Sequence, residues 1–250
     1  MRVRHPAVLL GAIVAVLALV GAVLAVVVWS GSDEEPTAAP SPSAPPPAAV
    51  LLIPGYGGDP TPLNRLSAAL AADGYRVAVL DIGTGTGDIR QYAEQATVQS
   101  RALLAAGAPS VSSVGFSMGG LVGRIAADDA PEVFDEVISL ASPHEGTLLA
   151  LLGGSGCPQA CQQMQPGSDL LTGLPDAPDP DDWLSIYSTT DGTILPAESS
   201  ALAGATVLRV QDICTSATVR HSGVPSHPLV IAAVLAALAD EPLPDTCPTM

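Results

Sequence analysis

The stretch "SVGFSMGG" (113–120) sets Ser117 between Gly115 and Gly119 in the pattern G-x-S-x-G. A serine hydroxyl becomes a nucleophile only where a base takes its proton and an acid orients that base. The pattern is cheap in a chain with 24 glycines, so its meaning depends on what flanks it. Here a β-like run, "VSSVGF" (111–116), stops at Ser117, and helix-forming residues, "MGGLVGRIAADDA" (118–130), begin directly after it. That switch predicts a sharp strand-to-helix turn with the hydroxyl exposed at its tip. Gly115 and Gly119 leave room for the turn, and Gly120 adds slack.

Where such a turn serves acyl transfer, an acid and then a histidine follow it in the chain. Asp191, in "YSTTDGTILP", lies just beyond a candidate strand, and a loop there would carry its carboxylate toward Ser117. Asp179, Asp181 and Asp182 precede that strand, at its opposite end, and Asp212 and Glu198 are weaker alternatives. Of the four histidines, His5 precedes a long apolar run and His144 comes before the acid. His221 and His227 remain, both in "VRHSGVPSHPLV". His227 abuts Pro228 at the start of the final helix, with Ser226 as the expected N-cap, and a helix N-terminus disfavours an imidazolium. His221, in the loop ahead of it, is therefore the expected base. Two backbone N–H groups must also face the oxygen that becomes negative. One is expected from Met118, the residue after the nucleophile. The other is expected from Tyr56 in "IPGYGGDP", where Gly55, Gly57 and Gly58 permit close backbone approach.

Six short apolar runs read as strands: "AVLLI" (49–53), "YRVAVL" (75–80), 111–116, "EVISLA" (136–141), "WLSIYS" (183–188) and "TVLRV" (206–210). Helical stretches at 61–74, 89–107, 118–130 and 228–240 alternate with them. Nearly continuous apolar strands between helices indicate an α/β fold: a mostly parallel six-stranded sheet covered on both faces. Ligands gather at the carboxyl ends of the strands in such sheets. The connections 142–182 and 189–205 are long for a compact domain, and 146–182 is the candidate rim or partial cover of a site. Its Leu148–Leu152 stretch offers a surface for an acyl chain.

Before the first strand the composition changes twice. Ala7–Trp29 is a run of 23 apolar residues and glycines, which as a helix would span about 34 Å. Arg2 and Arg4 precede it, and Asp33, Glu34 and Glu35 follow it, so the positive-inside rule puts residues 1–6 in the cytoplasm and the remainder outside. An uncleaved transmembrane signal-anchor is favoured over a cleaved signal peptide, which would release a secreted domain. Residues 30–48 contain six prolines and read as an extended linker, leaving 49–250 as the catalytic domain. The net charge of −16 argues against nucleic acid as a partner. All nine cationic residues are Arg, which removes Schiff-base and Ser-Lys chemistry. Cys157, Cys161, Cys214 and Cys247 all follow the apolar run, and an even count outside the cell suggests two disulfides. Three pairings are possible; Cys157–Cys161 within one loop and Cys214–Cys247 tying down the tail is preferred. No metal or other cofactor is required, and a monomer is expected.

Over residues 49–240 the chain resembles the small α/β-hydrolase lipases and esterases of bacteria, particularly the secreted group related to the minimal lipases of bacilli and actinobacteria. The resemblance rests on "IPGYGG", "VGFSMGGLVGR", "SPHEGT", "YSTTDGTILP" and "HSGVPSHP". It implies a Ser117–Asp191–His221 triad, an oxyanion hole from Tyr56 and Met118, and hydrolysis of a carboxylic ester or lipid. "GCPQACQQMQPGSDLL" also resembles a disulfide-bearing loop of those relatives, which agrees with Cys157–Cys161. Where relatives often have His-Gly at the head of the oxyanion loop, this chain has Pro54-Gly55. The rival expectations are an acyltransferase using the same three residues and a non-catalytic cell-envelope binding module.

Overall fold

The computed structural model describes residues 47–179 and 182–248. The Ala7–Trp29 run and all but the end of the proline-rich linker lie outside the described residues, and among those described no helix is long and apolar enough to cross a membrane. Six strands form one sheet: β1 (Ala49–Ile53), β2 (Arg76–Val79), β3 (Val111–Phe116), β4 (Val137–Leu140), β5 (Trp183–Tyr187) and β6 (Thr206–Arg209). Their order is β2-β1-β3-β4-β5-β6, and every pairing is parallel. The four inner strands are buried at every position, whereas the edge strands β2 and β6 are largely exposed or half-buried. Unbroken apolar runs in the inner strands follow from this, since both faces of the sheet are covered.

One face carries α2 (Ile89–Ala105) and α3 (Met118–Asp129), whose Ile89, Ala93, Leu121 and Ile125 pack on Leu51 and Ile53. The other face carries α1 (Asn64–Ala72) and, nearer the C-terminus, a helix at Pro228–Ala237, joined there by Leu66, Leu70, Leu229, Val230 and Val234 over Val50, Leu52 and Ile138. Helix α1 stops where Gly74 takes a φ of 99°, with Gly74 N–H donating to Ala71 C=O and Tyr75 N–H to Leu70 C=O. Gly107, with a φ of 94°, ends α2 in the same way. These left-handed glycine caps satisfy carbonyls that the helix leaves open. The helix at 228–237 is capped by His227 without a side-chain hydrogen bond, and Ser226 Oγ donates instead to Gly223 C=O. Ser226 is thus not the N-cap, because the two-turn 3-10 segment His221–Ser226 turns its hydroxyl back on itself.

The connection after β4 folds into three short helices, α4 (Leu148–Leu151), α5 (Gln159–Gln163) and α6 (Asp169–Thr172). It is fastened at several points. Gln163 Nε2 donates to Asp88 Oδ1 (2.7 Å) and its Oε1 accepts from Ile89 N–H (2.8 Å), at the N-terminus of α2. The Arg124 guanidinium, buried on α3, donates to Pro175 C=O (2.6 Å). Cys157 is bonded to Cys161 within this connection, and Cys214 to Cys247, tying the tail to the β6 side of the sheet. The second closes a 33-residue loop and in the chain-entropy view contributes about 3–4 kcal/mol; the first closes so short a loop that its share is about 2 kcal/mol.

Glu136 enters β4 at the amino edge of the sheet, where burial and the carboxylates of Asp182, Asp135 and Asp240 raise its pKa to about 7. Above pH 4.5 the unfolded chain releases a proton that the folded chain retains. The stability from this group is therefore complete at low pH and is lost as pH climbs toward 7. Glu136→Gln should raise the unfolding free energy at pH 8 by about 1–2 kcal/mol and leave it unchanged near pH 4.5. Urea titration at the two pH values checks this; equal effects at both would contradict it.

Candidate active site

Parallel pairing in register brings the carboxyl ends of five strands to one edge: Ile53 is opposite Gly115, Phe116 opposite Leu140, Leu140 opposite Ile186, and Tyr187 opposite Arg209. The connections that leave this edge carry Tyr56, Ser117, Met118, Asp191 and His221.

Ser117 sits between β3 and α3 with φ 56° and ψ −125°, a left-handed conformation that a residue with a side chain adopts only under constraint. Its N–H donates to Leu140 C=O (2.8 Å), so β4 holds the turn from the side. The neighbouring glycines are there because nothing larger fits. A Cβ on Gly115 would lie 2.2 Å from Gly119 C=O, and one on Gly119 would lie 2.2 Å from Ile53 C=O. Gly120 does more than provide slack: a Cβ there would collide with Ser142 Oγ at 1.8 Å, so α3 packs directly on the turn after β4.

The three predicted side chains meet. His221 Nε2 is 2.9 Å from Ser117 Oγ, and His221 Nδ1 is 2.7 Å from Asp191 Oδ2. An ionised carboxylate can only accept, which assigns the Nδ1 proton to His221 and leaves Nε2 as acceptor for the serine hydroxyl. Asp191 is 3% exposed, and its other oxygen, Oδ1, accepts from the N–H groups of Thr193 and Ile194, both at 2.8 Å. The acid and histidine loops are also joined through backbone and hydroxyl groups: His221 N–H donates to Asp191 C=O (3.0 Å) and Val219 N–H to Thr190 Oγ1 (2.8 Å). The Phe116 ring lies 4.8 Å from the imidazole, centre to centre, and limits its swing.

The first-strand turn lies against the serine. A Cβ on Gly55 would be 3.0 Å from Ser117 Cβ and 3.5 Å from Oγ. Gly58 N–H donates to Gly55 C=O (3.0 Å), closing a turn in which Gly57 takes a φ of 93°. Tyr56 is the second residue of that turn, so its own N–H lies outside the closing bond, and its side chain is exposed. Met118 opens α3, and a first helical N–H has no acceptor within its helix.

The remaining candidates go elsewhere. His144 is buried, and burial with the nearby Arg124 charge lowers its pKa to about 3, so it is neutral. Its Nε2–H donates to Ser139 Oγ (2.8 Å); Ser139 then donates to Ser185 Oγ, and Ser185 to Ser200 C=O. Burial likewise lowers the pKa of half-buried His227, with the Arg65 charge adding to it. Asp212 is paired with Arg209. Two fasteners were not foreseen from the sequence. Thr147 Oγ1 donates to Thr193 C=O (2.8 Å) and accepts from Leu195 N–H (3.1 Å), fixing the cover to the acid loop. Gln211 Nε2 donates to Ser188 Oγ (2.9 Å) and Ala217 C=O (3.1 Å), bracing that loop from the β6 side. The threonine of "SPHEGT" was visible as part of a pattern, but nothing in the sequence gave its partners.

A protein-family model described as alpha/beta hydrolase fold matches residues 48–162. No curated protein matches the chain by sequence. Among solved structures, lipase B of Aspergillus fumigatus superposes with a TM-score of 0.71 at 22% identity, over 80% of this chain and 54% of that one. The chain thus spans about half the length of the Aspergillus lipase. Lipase BlEst2 of Bacillus licheniformis in its mature form gives a TM-score of 0.58 at 17% identity, over 73% of this chain and 88% of that one. A structure from the metagenome-derived lipolytic enzymes LipS and LipT gives 0.57 at 17% identity, over 78% of this chain and 94% of that one. Sheet order, elbow and neighbours agree: this is a protein of the α/β-hydrolase fold.

The packing at the elbow makes two neighbouring glycines unequal. Gly119→Ala should cost about 3 kcal/mol or more, since its Cβ would strike backbone. Gly123→Ala, whose nearest contact is the Ser113 hydroxyl at 3.1 Å, should cost far less. Thermal unfolding of the two variants compares them directly, and equal losses would contradict the packing.

Proposed function

We propose that the protein is a serine hydrolase of carboxylic esters, with Ser117 as nucleophile, His221 as general base and acid, and Asp191 as the group that orients and stabilises the imidazolium. The observation that carries the proposal is the unbroken hydrogen-bond line from Ser117 Oγ through His221 to Asp191, drawn from three separate turns. Ser117 Oγ attacks the ester carbonyl as its proton passes to His221 Nε2. The carbonyl oxygen becomes negative and accepts from the N–H groups of Met118 and Tyr56, each worth about 3 kcal/mol in such sites. His221 returns the proton to the departing alcohol as the C–O bond breaks, leaving an acyl-Ser117 ester. Water then attacks that ester with His221 again as base, releasing the acid and restoring the serine.

A lipid or long-chain acyl substrate is favoured by the rim. Leu148, Leu149, Leu151 and Leu152 are all exposed, and Leu148 N–H donates to Leu195 C=O, which ties this apolar strip to the acid loop. We further propose that the domain works outside the cytoplasm, held to the membrane by the Ala7–Trp29 segment. Two disulfides support an oxidising compartment, and the charge pattern around the segment supports that orientation.

Ser117→Ala should lower kcat on p-nitrophenyl butyrate by about 10⁴-fold or more while the unfolding midpoint stays the same. A fluorophosphonate probe should label the native chain at Ser117 and leave the variant unlabelled. Retained turnover would overturn the assignment. Across p-nitrophenyl esters from C2 to C16, kcat/KM should rise beyond C4, and replacing Leu148 and Leu152 by Ser should flatten that rise; a steady fall with chain length would argue for a small-ester substrate.

A further inference from the structure

Arg220 directly precedes His221, and its guanidinium lies over the acid loop: a Cβ on Gly192 would come within 3.1 Å of Arg220 Nη1. Arg220, Thr193 and Ser222 line an open depression of about 320 Å³ that Asp191, Gly192 and His221 also border. Asp191 does not engage this cation, because its two oxygens already accept from Thr193, Ile194 and His221. Arg220 makes no ion pair among the described residues, which it shares with Arg65, Arg76 and Arg90, but it is the one of these four that stands directly beside His221 in the chain. A guanidinium offers five donors in a planar fork that matches a carboxylate or phosphate. One such fork with two hydroxyls around a hollow is the chemistry of an anion subsite.

The hollow is bordered by His221 and Asp191 and not by Ser117, so it adjoins the group that serves the departing alcohol and not the residue that keeps the acyl half. The carbonyl oxygen is directed to the Met118 and Tyr56 side. The alcohol leaves beside the imidazole that protonates it, so its substituents extend along the His221 wall. We propose that Arg220, with Thr193 and Ser222, forms a subsite for an anionic group, phosphate or carboxylate, on the alcohol half of the substrate. The preferred substrates are then acyl esters of an acidic alcohol. This rests on the serine-hydrolase reading above. The net charge of −16 does not oppose it, since distant carboxylates are screened beyond about 8 Å at physiological salt while a touching guanidinium is not.

The test uses the full chain and three butyryl esters that differ only in the alcohol: glycerol, glycerol 3-phosphate and glyceric acid. The native protein should prefer at least one anionic ester over the glycerol ester by about 10-fold in kcat/KM, and the two anionic arms tell phosphate from carboxylate. Arg220→Gln should remove that preference while changing the glycerol ester by less than about 2-fold, Arg220→Lys should keep part of it, and 0.5 M NaCl should weaken it. A second arm needs no turnover: in the Ser117→Ala background, calorimetry should detect glycerol 3-phosphate or glycerate binding that Arg220→Gln abolishes, with glycerol as blank. Equal losses on charged and neutral esters, or no anion preference in either arm, would overturn the subsite. Arg220-dependent binding in a chain that hydrolyses no ester would keep the subsite and overturn the hydrolase reading instead.

Discussion

A serine held at a φ of 56° costs about 1–3 kcal/mol that its own side chain cannot recover. The surroundings must supply the constraint, and much of the molecule's core is arranged to do so. Helix α3 is buried from Met118 through Ala127, so the residue before it cannot relax without moving the most enclosed helix of the domain. On the other side, Leu140 C=O takes the serine N–H, and the Ile53 and Pro54 carbonyls crowd Gly119. The strain is therefore imposed by packing on two neighbouring strands, β1 and β4, and in return the hydroxyl stands clear of β3.

The same economy governs charge. Asp191 is almost wholly enclosed, yet every lone pair direction that matters has a donor: two backbone N–H groups on one oxygen and the imidazole on the other. A buried carboxylate satisfied in this way is held stationary by its donors. His144, four residues past β4, shows the opposite solution. Its ring is enclosed without a carboxylate and serves as a neutral link in a chain of serines that ends at the Ser200 carbonyl. Two histidines in one small domain thus differ in what burial leaves them to do.

The strands were legible because a fully covered parallel sheet demands uninterrupted Val, Ile and Leu, and the sequence supplies such runs with glycine or proline at their ends; β1 and β3 have the bounds expected, and the others are shorter by a residue or two. Ser117 and Asp191 were legible because each falls just beyond a strand end at the same edge, and His221 because it is the histidine in the loop ahead of the final helix. The interior of 146–182 was not, since helices of four or five residues show no periodicity. Arg124 gave no signal either. A lone arginine among Gly, Val and Ile reads as surface, and only the fold shows that Pro175 bends back to receive it. Ser226 misled for a local reason: its hydroxyl finds Gly223 before it can reach the helix.

Because all pairing is parallel, no strand is completed by a neighbour a few residues away, and the serine precedes its histidine by 104 positions. During synthesis the elbow can be present long before the loop whose imidazole it will meet. A ribosome halted anywhere between the two therefore carries a serine without the imidazole that meets it in the folded chain. The three-residue hydrogen-bond line is completed only once nearly the whole polypeptide has emerged and closed on itself.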